Sequence, residues 1–236
     1  MQHVKTKKGV IVTKRPLDKD SREIMARGQT VINVSPLALL ELVQNTSRKA
    51  EWDEIFEKAE VVCELDAQSR IEHHVYKTPI SVVTKRDFCI AGHWMIGKDG
   101  TIVVVIASIS DDRCPPIKEF VRGTIRHAGF IIQPLLTKEK DEVKEEKETG
   151  KSEEKKSEEA EEQKVWKRLV ESSASAVTFF ACVDLAGWVP DPIVQMMGLK
   201  QPLTLITLRA LAEKEKITNP VPPARLALYK SCFGKD

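Results

Sequence analysis

The period of the hydrophobic residues shifts between two and about 3.6 along the chain, and each shift marks an element. Gly9 to Lys14 (GVIVTK) reads as a short β-branched strand and Gln29 to Val34 (QTVINV) as a second, with a turn near Pro16 and Asp18 between them. Ser35-Pro36 opens a helix, Ser as cap and Pro in the first turn. Leu37, Leu40 and Val43 form its buried stripe, and the polar run Gln44 to Ser47 ends it. Trp52, Ile55, Phe56 and Ala59 then fall at helical spacing and predict a second short helix. From Val61 strand follows strand: VVCEL, RIEHHVY, RDFCIAGHWMI and TIVVVIASI. A loop around Lys77, Pro79 and Ser81 interrupts them, and Gly97 to Gly100 marks a hairpin. Ser110 to Glu119 (SDDRCPPIKE) is a longer loop, and Phe120 to Leu136 a long strand with bends at Gly123 and Gly129.

The C-terminal third organises the rest. Ser175 to Leu185 is an apolar strand that runs into a turn at Gly187-Trp188. Asp191-Pro192 opens a helix with Ile193, Met196 and Met197 on one face. Gly198 and Pro202 predict a kink, after which Leu203, Leu205, Ile206, Leu208, Ala210 and Leu211 carry the helix on. A helix apolar around most of its girth is buried or covers something apolar. It reads equally as a plain core helix or as the lid of an apolar cavity, and the paired, adaptable methionines favour the lid. The expected fold class is α+β: a curved antiparallel sheet wrapped around a long C-terminal helix.

Composition narrows this picture. The chain has 236 residues and a net charge of +2, with no broad basic field for nucleic acid. Much of the charge sits in residues 137–164, a Lys/Glu run that cannot bury apolar surface and reads as a disordered insertion or a marginal solvated helix. Trp166, Leu169 and Val170 give a helical re-entry after it, and residues 217–236, with three prolines, read as a tail. The expected domain is therefore residues 1–136 together with 165–216. The five cysteines are scattered, with no CxxC pair and no zinc spacing, which suits a reducing cytosol. The basic N-terminus lacks the apolar run of a secretory signal, and no stretch approaches the ~20 apolar residues of a membrane span.

Several motifs, in order, carry a resemblance. Lys49 to Asp53 (KAEWD), Tyr76 to Cys89 (YKTPISVVTKRDFC), Arg122-Gly123 with Gly129-Phe130-Ile131-Ile132 and Pro134, and Val183-Asp184 with Gly187-Trp188-Val189-Pro190 resemble the START domain, the lipid-binding domain related to steroidogenic acute regulatory protein. The order holds from about Val10 to Lys214, apart from the insertion, although the long N-terminal helix usual in the family is absent or reduced. The resemblance implies a helix-grip fold with an internal apolar cavity. It implies binding of one lipid (sterol, phospholipid or sphingolipid), transient contact with membranes, and no catalysis, cofactor or metal. The family's buried Arg–acid pair would fall near Gly92 and His73, so the pair is not evident and no lipid class follows.

The polar candidates for a lipid headgroup are Lys49, His73 and Arg122. Lys49 suits a phosphate as a point charge, a His in a cavity wall suits a hydroxyl, and Arg122 suits an anionic or hydroxylated head if its strand face points inward. His73 and its neighbour His74 face opposite sides of a strand. Val104, Ile106, Phe130, Ile132, Phe180, Met196, Met197 and Leu203 are core by composition, and under the resemblance part of them lines the pocket. The loop carrying Cys114-Pro115-Pro116 is the expected gate, stiffened by its prolines. An enzyme of the same shape would need a converging acid–base or nucleophile set. No GxSxG is present, and His73, His127 and Asp184 are too dispersed to form one. A lipid-sensing scaffold that recruits a partner through residues 137–164 is the further alternative. The expected setting is the cytoplasm, peripheral to membranes.

Overall fold

The computed structural model describes residues 1–17, 23–78, 80, 82–135, 151–215 and 221–234. Asp18, Pro79 and Ser81, and the parts of the insertion and tail at 137–150 and 217–220, lie outside the described residues. Among the described residues the strands are β1 (Gln2–Lys7), β2 (Val10–Pro16), β3 (Ile24–Ile32), β4 (Phe56–Glu64), β5 (Ser69–Tyr76), β6 (Arg86–Ile96), β7 (Ile102–Ser108), β8 (Val121–Arg122), β9 (Thr124–Pro134) and β10 (Ser175–Asp184). They form one sheet in the order β1-β2-β3-β10-β9-β7-β6-β5-β4, antiparallel except for a short parallel pairing of β8 with β6. The sheet curves but does not close, and β1 and β4 are its edges.

The helices are α1 (Pro36–Gln44), α2 (Lys151–Glu171), α3 (Asp191–Lys200), α4 (Thr204–Glu215) and α5 (Pro223–Cys232). Ser35 caps α1 as its sequence predicts, its Oγ accepting from the Ala38 N–H at 3.3 Å. The helix α3–α4 breaks where Gly198 and Pro202 place the kink, through a 3₁₀ turn at Gln201–Leu203. That elbow lies against β3, because Gly28 leaves room for it: a Cβ there would stand 2.8 Å from the Pro202 carbonyl oxygen. Leu205 and Leu208 of α4 are buried in the same apolar core as Ile32, Phe130 and Val177 from the concave face.

The structure departs from the sequence reading at four places. Trp52, Ile55, Phe56 and Ala59 do not share a helix: a 3₁₀ turn spans Thr46–Glu51, and Phe56 begins β4. Tertiary pairing with β5 overrides a short helical spacing there. An extra strand, β1, precedes the expected first one; polar and at the edge, it buries too little to show in the hydrophobic pattern. The long strand from Phe120 is split at Gly123, where a Cβ would strike the Phe88 ring at 2.5 Å. The tail contains α5, whose Tyr229 is fully buried. Its ring meets Trp94 edge-on at 5.2 Å, and its hydroxyl donates to Glu41 at 2.5 Å. The expected re-entry at Trp166 is the end of α2, held by the buried Val165 and Leu169.

Tyr229→Ala removes a buried aromatic and one of the two partners of the Glu41 carboxylate, which keeps Arg225 at 2.9 Å, and should lower the unfolding free energy by about 3 kcal/mol in urea titration. A change below about 0.5 kcal/mol would mean that α5 is the loose tail of the sequence reading.

Candidate functional site

On β5 the side chains alternate between two environments. Arg70, Glu72, His74 and Tyr76 face the concave side, whereas Ile71, His73 and Val75 face outward. Glu72 is the hub of the inner set. Its carboxylate accepts from the Thr46 hydroxyl at 2.5 Å and contacts His74 Nε2 at 3.1 Å and Arg70 Nε at 3.1 Å. Burial pushes this carboxyl up, but the hydrogen bond and charge of His74, the charge of Arg70 and the Thr46 hydroxyl prevail and hold it at about 2. Burial lowers the His74 imidazole against the pull of Glu72.

Lys49 and Asp53 reach the same region from the turn before β4. The Lys49 ammonium lies over the rings of Trp52 at 4.9 Å and Phe56 at 5.7 Å. Burial lowers it, opposed by the charges of Asp53 and Glu72. Burial raises the Asp53 carboxyl, against Lys49 and the backbone N–H groups of Ile55 and Phe56. Trp52 Nε1 and Asp53 Oδ1 are buried with no hydrogen-bond partner among the described residues.

Two small voids lie along the concave face. One, of about 60 Å³, sits under α3 and is apolar, with Ile24, Phe88, Ile125, Ala181, Val183, Val194 and Met197 in its wall and Tyr76 and Arg86 at its margin. The other, of about 30 Å³, is bounded by Lys49, Arg70, Glu72, His74, Gly92, Val104, Ile106 and Phe130. An aromatic wall stands between them: Phe56 meets His74 at 5.5 Å and Tyr76 at 5.6 Å, and Tyr76 meets Phe88 at 5.6 Å. A surface groove of about 240 Å³ beside the α3–α4 elbow shares Ile55 and Gln201 with the first void, and Lys7, Lys8 and Lys200 line it together with Asp53 and Glu54.

The sequence candidates divide among these places. Lys49, Val104, Ile106 and Phe130 come together around the smaller void, Met197 lines the larger one, and Leu203 lines the groove. Ile132 is packed in the core, and Met196 is half-buried on α3. Phe180 lies on the outer face, since its neighbours Phe179 and Ala181 point into the core. His73 and Arg122 also lie outside, where both bind the fully buried Asp87, His73 Nε2 at 2.9 Å and Arg122 Nη2 at 2.8 Å. Arg126 is likewise outside, paired with Glu23 at 3.0 Å.

Arg70, Glu72, His74 and Tyr76 were missed as a set. The available signal was parity: if Tyr76 is inward, every second residue back along the strand is inward too. The strand-opening Arg86 also lines the larger void. Only 2 % exposed, it donates to the carbonyls of Leu185 at 3.0 Å and Ala186 at 3.1 Å and also to that of Thr84.

An open, curved sheet gripping a kinked helix, with polar groups buried along its concave face, defines a helix-grip domain. The START domain family matches residues 1–211, and the chain belongs to it. Among solved structures it resembles the human StarD13 (DLC2) lipid transfer and protein localization domain, at 16% identity and a TM-score of 0.65, over 88% of this chain and 86% of that one. It resembles human StAR-related lipid transfer protein 5 at 18% identity and a TM-score of 0.66, over 90% and 84% of the two chains. For human STARD10 the values are 15% and 0.66, over 91% and 73%. At these identities the likeness is one of fold. No curated protein sequence matches the chain.

A carboxyl held down in the folded state stabilises the fold above the unfolded value near 4.3 and loses that contribution as pH falls through about 2. Glu72→Gln should therefore cost on the order of 3 kcal/mol at pH 7 and flatten the fall in stability between about pH 4.5 and 2, measured by urea titration. An unchanged acid limb would mean that Glu72 is not held ionised.

Proposed function

We propose that this domain binds one lipid along its concave face, with the tail under α3 and the headgroup against the Lys49–Asp53–Glu72–His74 cluster, and carries it between membranes without catalysing a reaction. What carries the reading is an apolar void under a kinked helix whose neighbouring groove, sharing Ile55 and Gln201 with it, is lined by Asp53; Asp53 Oδ1 and Trp52 Nε1, the latter on the ring packed against Phe130 of the smaller void, are buried with no partner among the described residues. Buried polar groups are normally satisfied, so a ligand headgroup or ordered water completes them. Each tail methylene placed there is worth ~0.8 kcal/mol.

The voids of about 60 and 30 Å³ are far below a lipid's volume, so loading has to merge them. The aromatic wall of Phe56 and Tyr76 swings aside, and Ile55 and Gln201, shared with the lysine-lined groove, open the way in. The elbow at Gln201–Leu203 is the hinge this requires. Membrane contact falls to Trp188 and Val82, 74% and 78% exposed, whose loops converge on Arg86 at the margin of the larger void. Exposed tryptophan suits the bilayer interface, and Lys7, Lys8 and Lys200 suit its anionic lipids. No helix among the described residues is long and apolar enough to cross a membrane, and the five cysteines are free thiols; both accord with a cytoplasmic, peripheral role.

Native mass spectrometry with lipid extraction tests the reading first. A stoichiometric lipid is expected, and a lipid-free mass with no uptake from mixed vesicles would sink it. A Cβ at Gly92 meets no heavy atom within 4 Å, so Gly92→Ala adds a methyl at the smaller void without collision. It should keep the fold and cut lipid uptake by about tenfold or more. Trp188→Ser should weaken vesicle association by about tenfold in a flotation assay while leaving stability unchanged.

A further inference from the structure

We propose that Cys89 and Cys114 are an oxidisable dithiol, and that their disulfide locks the loop at residues 109–120 onto β6. The loop joins β7 to β8 across the outer face of the sheet. Its start is tied to β6 by the Ile109 N–H, which donates to the Cys89 carbonyl at 3.0 Å. Further on, Arg122 grips the carbonyls of Cys114 at 3.2 Å and Pro115 at 3.0 Å while bound to Asp87. Between these ties the Cys114 side chain packs beside that of Cys89. The two are 5% and 0% exposed, and with Ile71 they form a small apolar cluster separate from the main core.

Thiols that sit scattered in the sequence are thus brought together by the packing of the loop on β6. Burial first, then the neighbouring Cys114, pushes the Cys89 thiol up to about 12, which makes closure of the S–S bond slow at neutral pH and faster as pH rises. Cys114, carried on the loop, meets solvent first when the loop lifts. A hydroperoxide then oxidises its sulfur to the sulfenic acid and leaves as the alcohol or water. When the loop returns, the Cys89 sulfur displaces the hydroxyl, which departs with the thiol proton as a second water, and the S–S bond closes. The cross-link removes loop conformations that the reduced chain can visit. The far end of the same loop leads to Val121, which donates to the Lys85 carbonyl at 3.0 Å and packs 3.4 Å from where a Cβ on Gly187 would stand. A locked loop therefore stiffens the margin of the larger void. This last step rests on the lipid-cavity reading, whereas the bond itself does not.

The test treats the full-length protein with hydrogen peroxide, alkylates it after denaturation, and maps peptides by mass. A Cys89–Cys114 cross-link is expected, reversed by dithiothreitol, absent from Cys114→Ala and Cys89→Ala, and retained in Cys63→Ala. Circular dichroism checks the fold of each variant, and Cys114→Ala, at the looser position, serves if Cys89→Ala does not fold. Amide exchange across residues 109–120 should slow on the order of tenfold on oxidation, and lipid uptake from phosphatidylcholine–phosphatidylserine vesicles should slow with it. Full alkylation of both thiols after peroxide, cross-linking to Cys63 instead, or a disulfide with unchanged amide exchange each overturns the proposal. Slowed amide exchange with no lipid uptake in either redox state upholds the dithiol and overturns the lipid reading.

Discussion

The buried guanidinium of Arg86 is the constraint on which the cavity margin depends. It sits at the first residue of β6, with hardly any exposure, and its donors go to main-chain carbonyls of two separate loops. Taking a charge from water is costly unless its hydrogen bonds are replaced, and here backbone dipoles replace them. The turn between β10 and α3 is thereby held where Ala186 and Gly187 take positive φ, +48° and +58°. That turn decides where α3 begins and so where the roof of the apolar void lies. Lysine could not do the same, since a single ammonium cannot span carbonyls fanned in a plane.

Around this anchor the sheet carries charge on both faces of the same two strands. Glu72 and His74 serve the concave side, and His73 and Asp87 the convex side. Buried ion pairs rarely add net stability over a well-packed apolar alternative. Removing one partner of the inner set is costly all the same, because it leaves the others buried and uncompensated. The outer set does mechanical work, because Arg122 joins buried Asp87 to the carbonyls of the overlying loop.

Much of the architecture was legible in the chain. Ser35-Pro36 and the kink at Gly198 and Pro202 each acted through local chemistry that tertiary context did not override, and Gly97 to Gly100 made the expected turn between β6 and β7. The second helix was not legible, because four apolar residues over eight positions fit a strand edge after a turn as well as a helix. The tail hid α5, since one buried tyrosine and a Glu41 contact far away in sequence leave no periodic trace. For the site, the uncertainty was one of parity. Whether His73 or His74 faces inward turns on one bit of information, set by the pleat and by where Tyr76 and Phe88 meet. Phe180 fails on the same bit.

The pairing of β10 between β3 and β9 has a temporal consequence. Residues 24–32 and 124–134 cannot acquire their shared neighbour until residues 175–184 have left the ribosome. Until then the nascent sheet has two unpaired edges, each with several buried apolar residues, the kind of surface that templates aggregation. The segment synthesised just before β10 is the densely charged run at 137–164. Charge flanking an exposed strand suppresses wrong pairing. A run that looks dispensable in the finished fold thus arrives at the moment when solubility is hardest to keep.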